Sequence, residues 1–477
     1  MKKIILLIII ANIAFTIFIE QDIARKAAEN KLAQIDPSGD YVILEVEQVK
    51  RDIATYGYIF YLEPQGYIIT SARDYIRPII AFSLKNSARN SLNSENRLKT
   101  LVKYDMMQRQ LNWTSIDYDR RMESKNCWNR IRSGERVFLE PMETWPSEGE
   151  TETGGWIETQ WTQNAPYNIY CPLDPVTGER SYAGCPSIAM AQIVNYYRTT
   201  RYIEFNSADR YYHEFGSSRT YWIDDAAEEH DFPDFSELNA MLSNLLDRYI
   251  YGYDITSEDY AALVFACGLA CEQVYSSSGS GTFGVDQAYA AYQRFDFEDT
   301  ELWEDEMPII SSLIIEDIMI ARPVHLAVVT PEWDSGHNLI IDGYDSDGYY
   351  HLNFGYGGSY DGWYDLPTEM PFDLTVIEGV IIGIWAECGS IAENDIGQAD
   401  NIFLAYPNPF KNIININSPI SSRAEIIDIN GRIIRKMSIP GTFDGLDKND
   451  DEIDAGVYFI RTTNGQESFQ YKIIKAD

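Results

Sequence analysis

Cys185 follows Gly184 and directly precedes Pro186-Ser187-Ile188-Ala189-Met190-Ala191-Gln192. Proline costs nothing at the first helical position, where its missing N–H would be unpaired anyway, so Cys185 is the expected N-cap of a helix. Ile188, Ala189, Met190, Ala191, Ile193 and Val194 leave that helix almost no polar face, which assigns it to the interior of a domain. Its positive end would then point at the sulfur and favour thiolate, the nucleophilic form of cysteine. The same residues also suit a structural cysteine, since free cysteine is among the most buried residue types.

A thiol nucleophile needs a base, and the chain has five histidines, at 213, 230, 325, 337 and 351. His337 follows Ser335-Gly336, opens the strand-like run Asn338 to Tyr344, and comes 152 residues after Cys185. That is the order and rough spacing of a nucleophile followed by its base. Asn353, 16 residues further on, stands where it could hold the imidazole from its far side. The plainer alternative makes His337 and Asn353 ordinary strand residues beside turns. His351 shares the Asn353 face and is a rival base. His325 lies in an apolar run, as a packed or cleft-wall histidine, and His213 and His230 lie among tyrosines and acids in expected surface loops. Acyl transfer also needs donors for the developing oxyanion. The backbone N–H of Cys185 is one; the side-chain amide of Gln163, in Trp161-Thr162-Gln163-Asn164-Ala165-Pro166, is a second candidate that reads equally as a loop glutamine.

Bringing such distant residues together takes a sizeable fold. The 477 residues exceed one core and suggest about two to four domains. Hydrophobic content of 45% with 13% aromatics fits a folded chain, and 73 acidic against 38 basic residues leave a net charge of -35. That balance argues against nucleic acid or anionic lipid bound through a basic surface. It fits the solubility needs of an exported protein.

Lys2 and Lys3 precede an apolar run, Ile4 to Ile19, broken only by Asn12 and Thr16. Glu20, Gln21 and Asp22 stop it short of the roughly 20 apolar residues of a membrane span. We therefore expect a signal peptide at 1–21, cut somewhere around residues 19 to 27, and no transmembrane span in the mature chain. Residues 22–140 read as a small α+β domain. Tyr41 to Val49 alternates like a strand, Tyr58–Leu62 and Tyr67–Thr70 flank a Glu63-Pro64-Gln65-Gly66 turn, and 94–132 is charged and helix-like. Pro141 to Gly155 has linker composition and is the expected processing region, with basic cleavage points at Arg130, Arg132 and Arg136.

Residues 156–390 place helices first and antiparallel strands second, an α+β pattern. Helices are expected near 234–250 and 257–273, the latter opened by Thr256 with Asp259 as a capping box. After a linker at 391–400, residues 401–477 have the short strands and regular turns of a β-sandwich. Cys267 and Cys271 are one helical turn apart and read as core cysteines rather than a metal pair, and Cys127, Cys171 and Cys388 make no dense disulfide framework. The cluster Asp447, Asp450, Asp451, Glu452 and Asp454 lacks ordered calcium-ligand spacing and reads as a solvated turn. No metal or cofactor is expected.

Several motifs in one order resemble the streptopain-like cysteine peptidases, papain-related secreted proteases made as zymogens. They are Gln163 with Pro166-Tyr167-Asn168; Gly184-Cys185 with Ala189-Met190-Ala191-Gln192; the Ser/Gly loop at 276–281; Gly336-His337 with Ile341-Asp342-Gly343; and Asn353-Phe354-Gly355-Tyr356-Gly357-Gly358. Family members commonly carry tryptophans in that last motif, where this chain keeps aromatic character with Phe354 and Tyr356. The hairpin and Pro78 to Ser83 look like the streptopain propeptide. The segment from Tyr406-Pro407-Asn408-Pro409 to Lys472-Ile473-Ile474-Lys475 is similar to sorting domains read by type IX secretion.

The resemblance implies a papain-like peptidase fold with Cys185 as nucleophile, His337 as base, Gln163 in the oxyanion hole and Asn353 as orienter. It implies that Ser278, Ser280 and Gly336 line the substrate cleft. The implied partners are protein or peptide substrates, the chain's own propeptide as inhibitor, and the secretion machinery that carries it to the cell surface or medium. Two other outcomes fit the same residues: an acyl transferase of transglutaminase type, and a catalytically dead adhesin or inhibitor on the same fold.

Overall fold

The computed structural model describes residues 17–475 except 89–93, 112, 114, 115, 117, 305, 306, 330–335, 367–376, 387–403, 407–409, 418–421, 429–431, 450 and 464–467. The expected leader through residue 16, the 391–400 linker, Cys388, Pro407 to Pro409 and Asp450 lie outside the described residues.

The N-terminal part is built from helix α1 (Gln21–Ile35), strands β1 (Val42–Arg51), β2 (Ala54–Glu63), β3 (Tyr67–Ser71) and β4 (Ile79–Ser83), and helices α2 (Ser94–Leu111) and α3 (Tyr118–Arg132). Ala24, Ala27 and Ala28 recur at helical spacing, which gives α1 a flat face that it buries. Tyr58, Phe60, Leu62 and Ile68 supply the apolar surface in the same cluster. The chain enters this domain earlier than expected. Ile19 is fully buried, its N–H donates to the Ala72 carbonyl (3.1 Å), and the Tyr58 hydroxyl donates to the Ile19 carbonyl (2.9 Å). The expected boundary at residue 21, and cleavage at 19 to 27, would remove this anchor; apolar composition alone could not separate a leader's end from a buried first segment.

After β5 (Thr144–Trp145), the central region contributes helix α4 (Cys185–Tyr196), a hairpin of β6 (Tyr212–Glu214) and β7 (Thr220–Trp222), and helices α5 (Ala227–His230), α6 (Phe235–Tyr251), α7 (Ser257–Ala270) and α8 (Val285–Arg294). Strand β8 (Glu301–Trp303) and helix α9 (Met307–Met319) follow, then β9 (Val324–Val329), β10 (Gly336–Asp345), β11 (Tyr350–Asn353), β12 (Gly362–Tyr364) and β13 (Ile377–Ile382). The capping box of Thr256 and Asp259 opens α7 as expected, and α6 has one of its own in Asp234 and Glu237.

All the strand pairs of the large sheet are antiparallel, in the order β1-β2-β3-β4-β12-β11-β10-β9-β13-β8. The N-terminal strands therefore continue the central sheet through one joint, where Phe82 pairs with Trp363 and Ala81 with Tyr364. Beside that joint, Arg109 of α2 pairs with Asp365 (2.6 Å) and Asp105 (2.8 Å), with all three side chains largely buried. The sheet's two faces serve two cores. Leu339 and Ile341 join the core shared with the N-terminal domain, and Ile340 and Ala327 join the helical core around α4 and α7.

Two sequence expectations are corrected here. The acidic 141–155 stretch is more than a free linker: β5 pairs with Tyr344 and Asp345 of β10, Thr151 and Thr153 are buried, and the Trp156 N–H donates to the Asp342 carbonyl (2.7 Å). Only Ser147 to Gly149 form an exposed tip within it. His213 and His230 are buried rather than in surface loops. The Tyr275 N–H donates to His213 Nε2 (2.6 Å), and both rings pack on Tyr221.

The C-terminal part has two sheets, β14 (Leu404–Tyr406), β15 (Ile414–Asn417) and β18 (Gly441–Phe443) in one, with β16 (Ser422–Asp428), β17 (Ile433–Ile439), β19 (Gly456–Thr463) and β20 (Ser468–Lys475) in the other. Phe410, Ile414, Ile416, Ile426, Ile460 and Ile473 fill a core of their own.

Candidate active site

Helix α4 is buried from Pro186 to Val194, so its N-terminus is a fixed point. Cys185 is the first helical residue and Gly184 the N-cap, one position from the expectation. The consequence is favourable: the Cys185 N–H belongs to the first helical turn, whose amides point out of the helix end rather than into its ladder, beside the residue's own sulfur. Gly184 has φ +89° and ψ 140°, a conformation open mainly to glycine. A Cβ there would lie 2.4 Å from Gln273 Oε1.

The segment before the thiol is tied on both sides. The Ala183 N–H donates to the Gln163 carbonyl (2.9 Å), Gln273 Nε2 donates to the Ala183 carbonyl (2.6 Å), and the Tyr182 N–H donates to the Ser276 carbonyl (3.2 Å). These bonds bring Gln163 and the serine-rich loop into the neighbourhood of Cys185. Gln163 is 4% exposed, and its side-chain amide has no hydrogen-bond partner among the described residues.

The serine loop is organised from below by Asp174. Its carboxylate accepts from the Ser277 N–H and hydroxyl (both 2.9 Å), the Val176 N–H (2.9 Å) and both ways from Arg219 Nε (2.9 and 3.0 Å). Burial alone would push this carboxyl up; those donors outweigh it and hold it well below the usual carboxylate range. Ser278 is exposed, with its hydroxyl 2.8 Å from that of Ser276. Ser280 departs from the expectation: it is buried, accepts from the Ser276 N–H (3.0 Å) and donates to the Ser276 carbonyl (3.2 Å). Its hydroxyl is a clasp inside the loop rather than a contact offered to a ligand. Gly336 is exposed at the start of β10, paired with Val329.

His337, 3% exposed, is held by a partner that residue-type reasoning missed. Its Nε2 donates to the backbone carbonyl of Phe354 (2.7 Å), and its ring stacks on Phe354 and Tyr356, with centroids 6.1 and 5.0 Å away. The aromatic shield thus survives the replacement of tryptophan. Phe354 is itself fixed by donating its N–H to Asp361 Oδ1 (2.8 Å). Burial pushes the Asp361 carboxyl up to about 7. A backbone acceptor leaves no mark in the sequence.

Asn353 is not the orienter. It lies opposite Ile340 in the ladder, and its amide is spent on Thr159 O (2.9 Å), Gln192 (3.2 Å) and the Gly355 N–H (3.0 Å). Gln192, on α4, also accepts from the Trp161 N–H (3.2 Å) and Thr159 Oγ1 (3.0 Å). Asn353 therefore bolts the glycine-rich loop to the thiol's helix. The rival base His351 is buried against Asp342 (2.7 Å). Burial alone would lower its basicity, but Asp342 outweighs that and raises it.

Asn338, next to His337, has its Nδ2 4.0 Å from Cys185 Sγ, so the start of β10 abuts the start of α4. A sulfur at a helix N-terminus, with an imidazole anchored from behind on the residue next to one that reaches that sulfur, supplies the groups that thiol-based acyl transfer requires. Cys127, Cys171, Cys267 and Cys271 are free thiols outside this arrangement, and burial pushes each of them up.

Comparison with known proteins agrees on all three parts. Residues 161–364 match the peptidase C10 family, residues 16–108 the Spi protease inhibitor family, and residues 404–476 the secretion system C-terminal sorting domain. The chain is similar to the thiol protease/hemagglutinin PrtT of Porphyromonas gingivalis, 25% identical over 45% of this chain and 24% of that protein. It is similar to streptopain of Streptococcus pyogenes, 26% identical over 45% of this chain and 55% of that protein. The chain thus spans about a quarter and about half of these relatives' lengths. Among solved structures, a prointerpain A fragment of Prevotella intermedia is 19% identical, covers 72% of this chain and 99% of the fragment, and has a TM-score of 0.48. The N-terminal match begins at residue 16, in keeping with the burial of Ile19. The chain therefore carries a peptidase C10 domain, preceded by a Spi-inhibitor-like domain and followed by a secretion sorting domain that marks it for export.

Proposed function

We propose that the chain is a secreted cysteine endopeptidase made as a zymogen, with Cys185 as nucleophile and His337 as its acid and base. The observation that carries this is the anchoring of His337 Nε2 on the Phe354 carbonyl, next to a residue that reaches the sulfur, which supports a reading in which Nδ1 serves the thiol. The thiolate attacks the peptide carbonyl, and the oxyanion is held by the Cys185 N–H and the Gln163 amide. The imidazolium gives its proton to the departing amine as the C–N bond breaks, leaving a thioester. Water, deprotonated by His337, then releases the acid and restores the thiol. Ser278 and Gly336 line the approach of the substrate, while Asn353 and Ser280 hold the site's walls.

In this reading residues 17–140 are the inhibitory propeptide. Asn86 Oδ1 accepts from Gln160 Nε2 (2.7 Å), and the Ser87 carbonyl accepts from the Tyr360 N–H (3.0 Å), both beside the glycine-rich loop that shields His337. The exposed turn Ser133 to Arg136 and the tip Ser147 to Gly149 are the proposed processing points. The C-terminal domain is the signal for type IX export. The experiment is Cys185→Ala in the full chain: peptide hydrolysis and self-processing should both vanish. Continued cleavage by the purified variant would end the proposal.

A further inference from the structure

Beneath the thiol lies a polar chain that the proposed mechanism does not use. Asn338 Nδ2 is 4.0 Å from Cys185 Sγ, Asn338 Oδ1 is 2.7 Å from His325 Nε2, and His325 Nδ1 is 3.2 Å from the Tyr292 hydroxyl. Exposure falls from 8% at Asn338 to zero at His325 and Tyr292. The sheet makes the alignment: Asn338 opposes Ala327 and Ile340 opposes His325, so His325 and Asn338 are diagonal neighbours on the face turned toward α4. In an apolar wall, three polar side chains in series need a reason.

We propose that Asn338 is a second polar contact of the Cys185 sulfur, aimed at it by His325 and Tyr292, and that its amide stabilises the thiolate. The inference rests on Cys185 being the nucleophile. The direction of the amide follows from where the protons of its neighbours must sit. Among the described residues, His325 Nδ1 is the sole hydrogen-bond partner of the Tyr292 hydroxyl. Burial keeps that tyrosine protonated, so its O–H must donate to Nδ1 or be buried unpaired. The imidazole is neutral at ordinary pH, since burial pushes His325 down to about 4. With Nδ1 accepting, the single ring proton sits on Nε2 and donates to Asn338 Oδ1. The NH2 group is thereby turned to the sulfur, which is its sole partner among the described residues. An N–H at this distance does little for a thiol and more for a thiolate, because a charged acceptor draws a stronger bond. Asn338 is thus a thiolate contact, and His325 and Tyr292 are positioning residues.

The test is the pH dependence of alkylation of Cys185 by iodoacetamide in the full chain, read by mass spectrometry of the Cys185 peptide. Asn338→Ala should raise the midpoint of the rate profile by about one pH unit, leaving about tenfold less thiolate at a given pH below it. Tyr292→Phe, which frees His325 to change tautomer, should raise it by less. Asn338→Ser, whose hydroxyl can still bond His325 but is too short to reach the sulfur, should behave like the alanine variant and serves if that one does not fold. An unchanged or lowered midpoint in a folded Asn338 variant overturns the proposal. Failure of the underlying reading looks different: wild-type Cys185 itself would titrate as an ordinary thiol near pH 8.5.

Discussion

Gly184→Ala is the most exacting test of how the thiol is set. Any L side chain at φ +89°, ψ 140° costs about 1–3 kcal/mol in backbone strain. The new methyl would also meet Gln273 at 2.4 Å from Oε1, 3.0 Å from Cδ and 3.1 Å from Nε2. Gln273 cannot simply step aside: it is fully buried, and its amide holds the Ala183 carbonyl at 2.6 Å, a bond worth about 0.5–1.5 kcal/mol. Together these give a loss of about 2–4 kcal/mol in denaturant unfolding. Because the collision lies one residue from the sulfur, the helix start should shift enough to lower kcat/KM by about a hundredfold. Gly268→Ala separates the two effects, since that helical position has an ordinary φ yet would strike Gln273 Nε2 at 2.6 Å and the Tyr275 hydroxyl at 2.4 Å. It should lose stability through crowding alone. The double variant Gly184→Ala/Gln273→Ala removes the crowding and should retain the backbone strain together with the loss of the Ala183 bond, which Gln273→Ala alone measures. A Gly184→Ala protein with wild-type unfolding midpoint and wild-type activity would refute this account.

Other outcomes follow from the same geometry. Asp361→Ala should release Phe354, loosen His337 and lower kcat/KM about tenfold, whereas Asp361→Asn, which keeps the acceptor, should restore most of it. Because the folded Asp361 carboxyl is raised to about 7, its contribution to stability is full below about pH 4 and lost as pH rises through 7. Urea unfolding across that range should therefore fall less steeply in the asparagine variant. Asp174 has the opposite sign: its depressed carboxyl stabilises the fold above about pH 4, and that stability is lost on acidification. Asp174→Asn should cost about 3–5 kcal/mol and make the 276–281 loop a target in limited proteolysis. Arg109→Met breaks the buried pair with Asp365 beside the β4–β12 joint and should raise hydrolysis by the unprocessed chain, measured with a peptide substrate. No gain in activity from a folded variant would count against inhibition by the N-terminal domain.

Much of the site was written in local chemistry. Pro186 and the apolar run behind it define a buried helix with cysteine at its start, and Gly336-His337 ahead of Leu339, Ile340 and Ile341 defines a strand that begins with an imidazole. Such signals depend on neighbours in the chain, so sequence suffices to read them. The same holds for the α+β order of elements and for the capping box at Thr256. What holds His337 is different in kind. Asn353 has the right chemistry and spacing, yet the β10–β11 register sets it opposite Ile340 and gives the imidazole a backbone carbonyl instead. Every residue has such a carbonyl, and only the fold selects one. Likewise the acidic 141–155 stretch has the composition of a linker, but the end of β10 offers a free edge where β9 stops, and β5 takes it. Residue types thus determined which groups could do the chemistry. Strand register and the packing of α4 decided which of them meet, because those depend on contacts between segments that are remote in the chain.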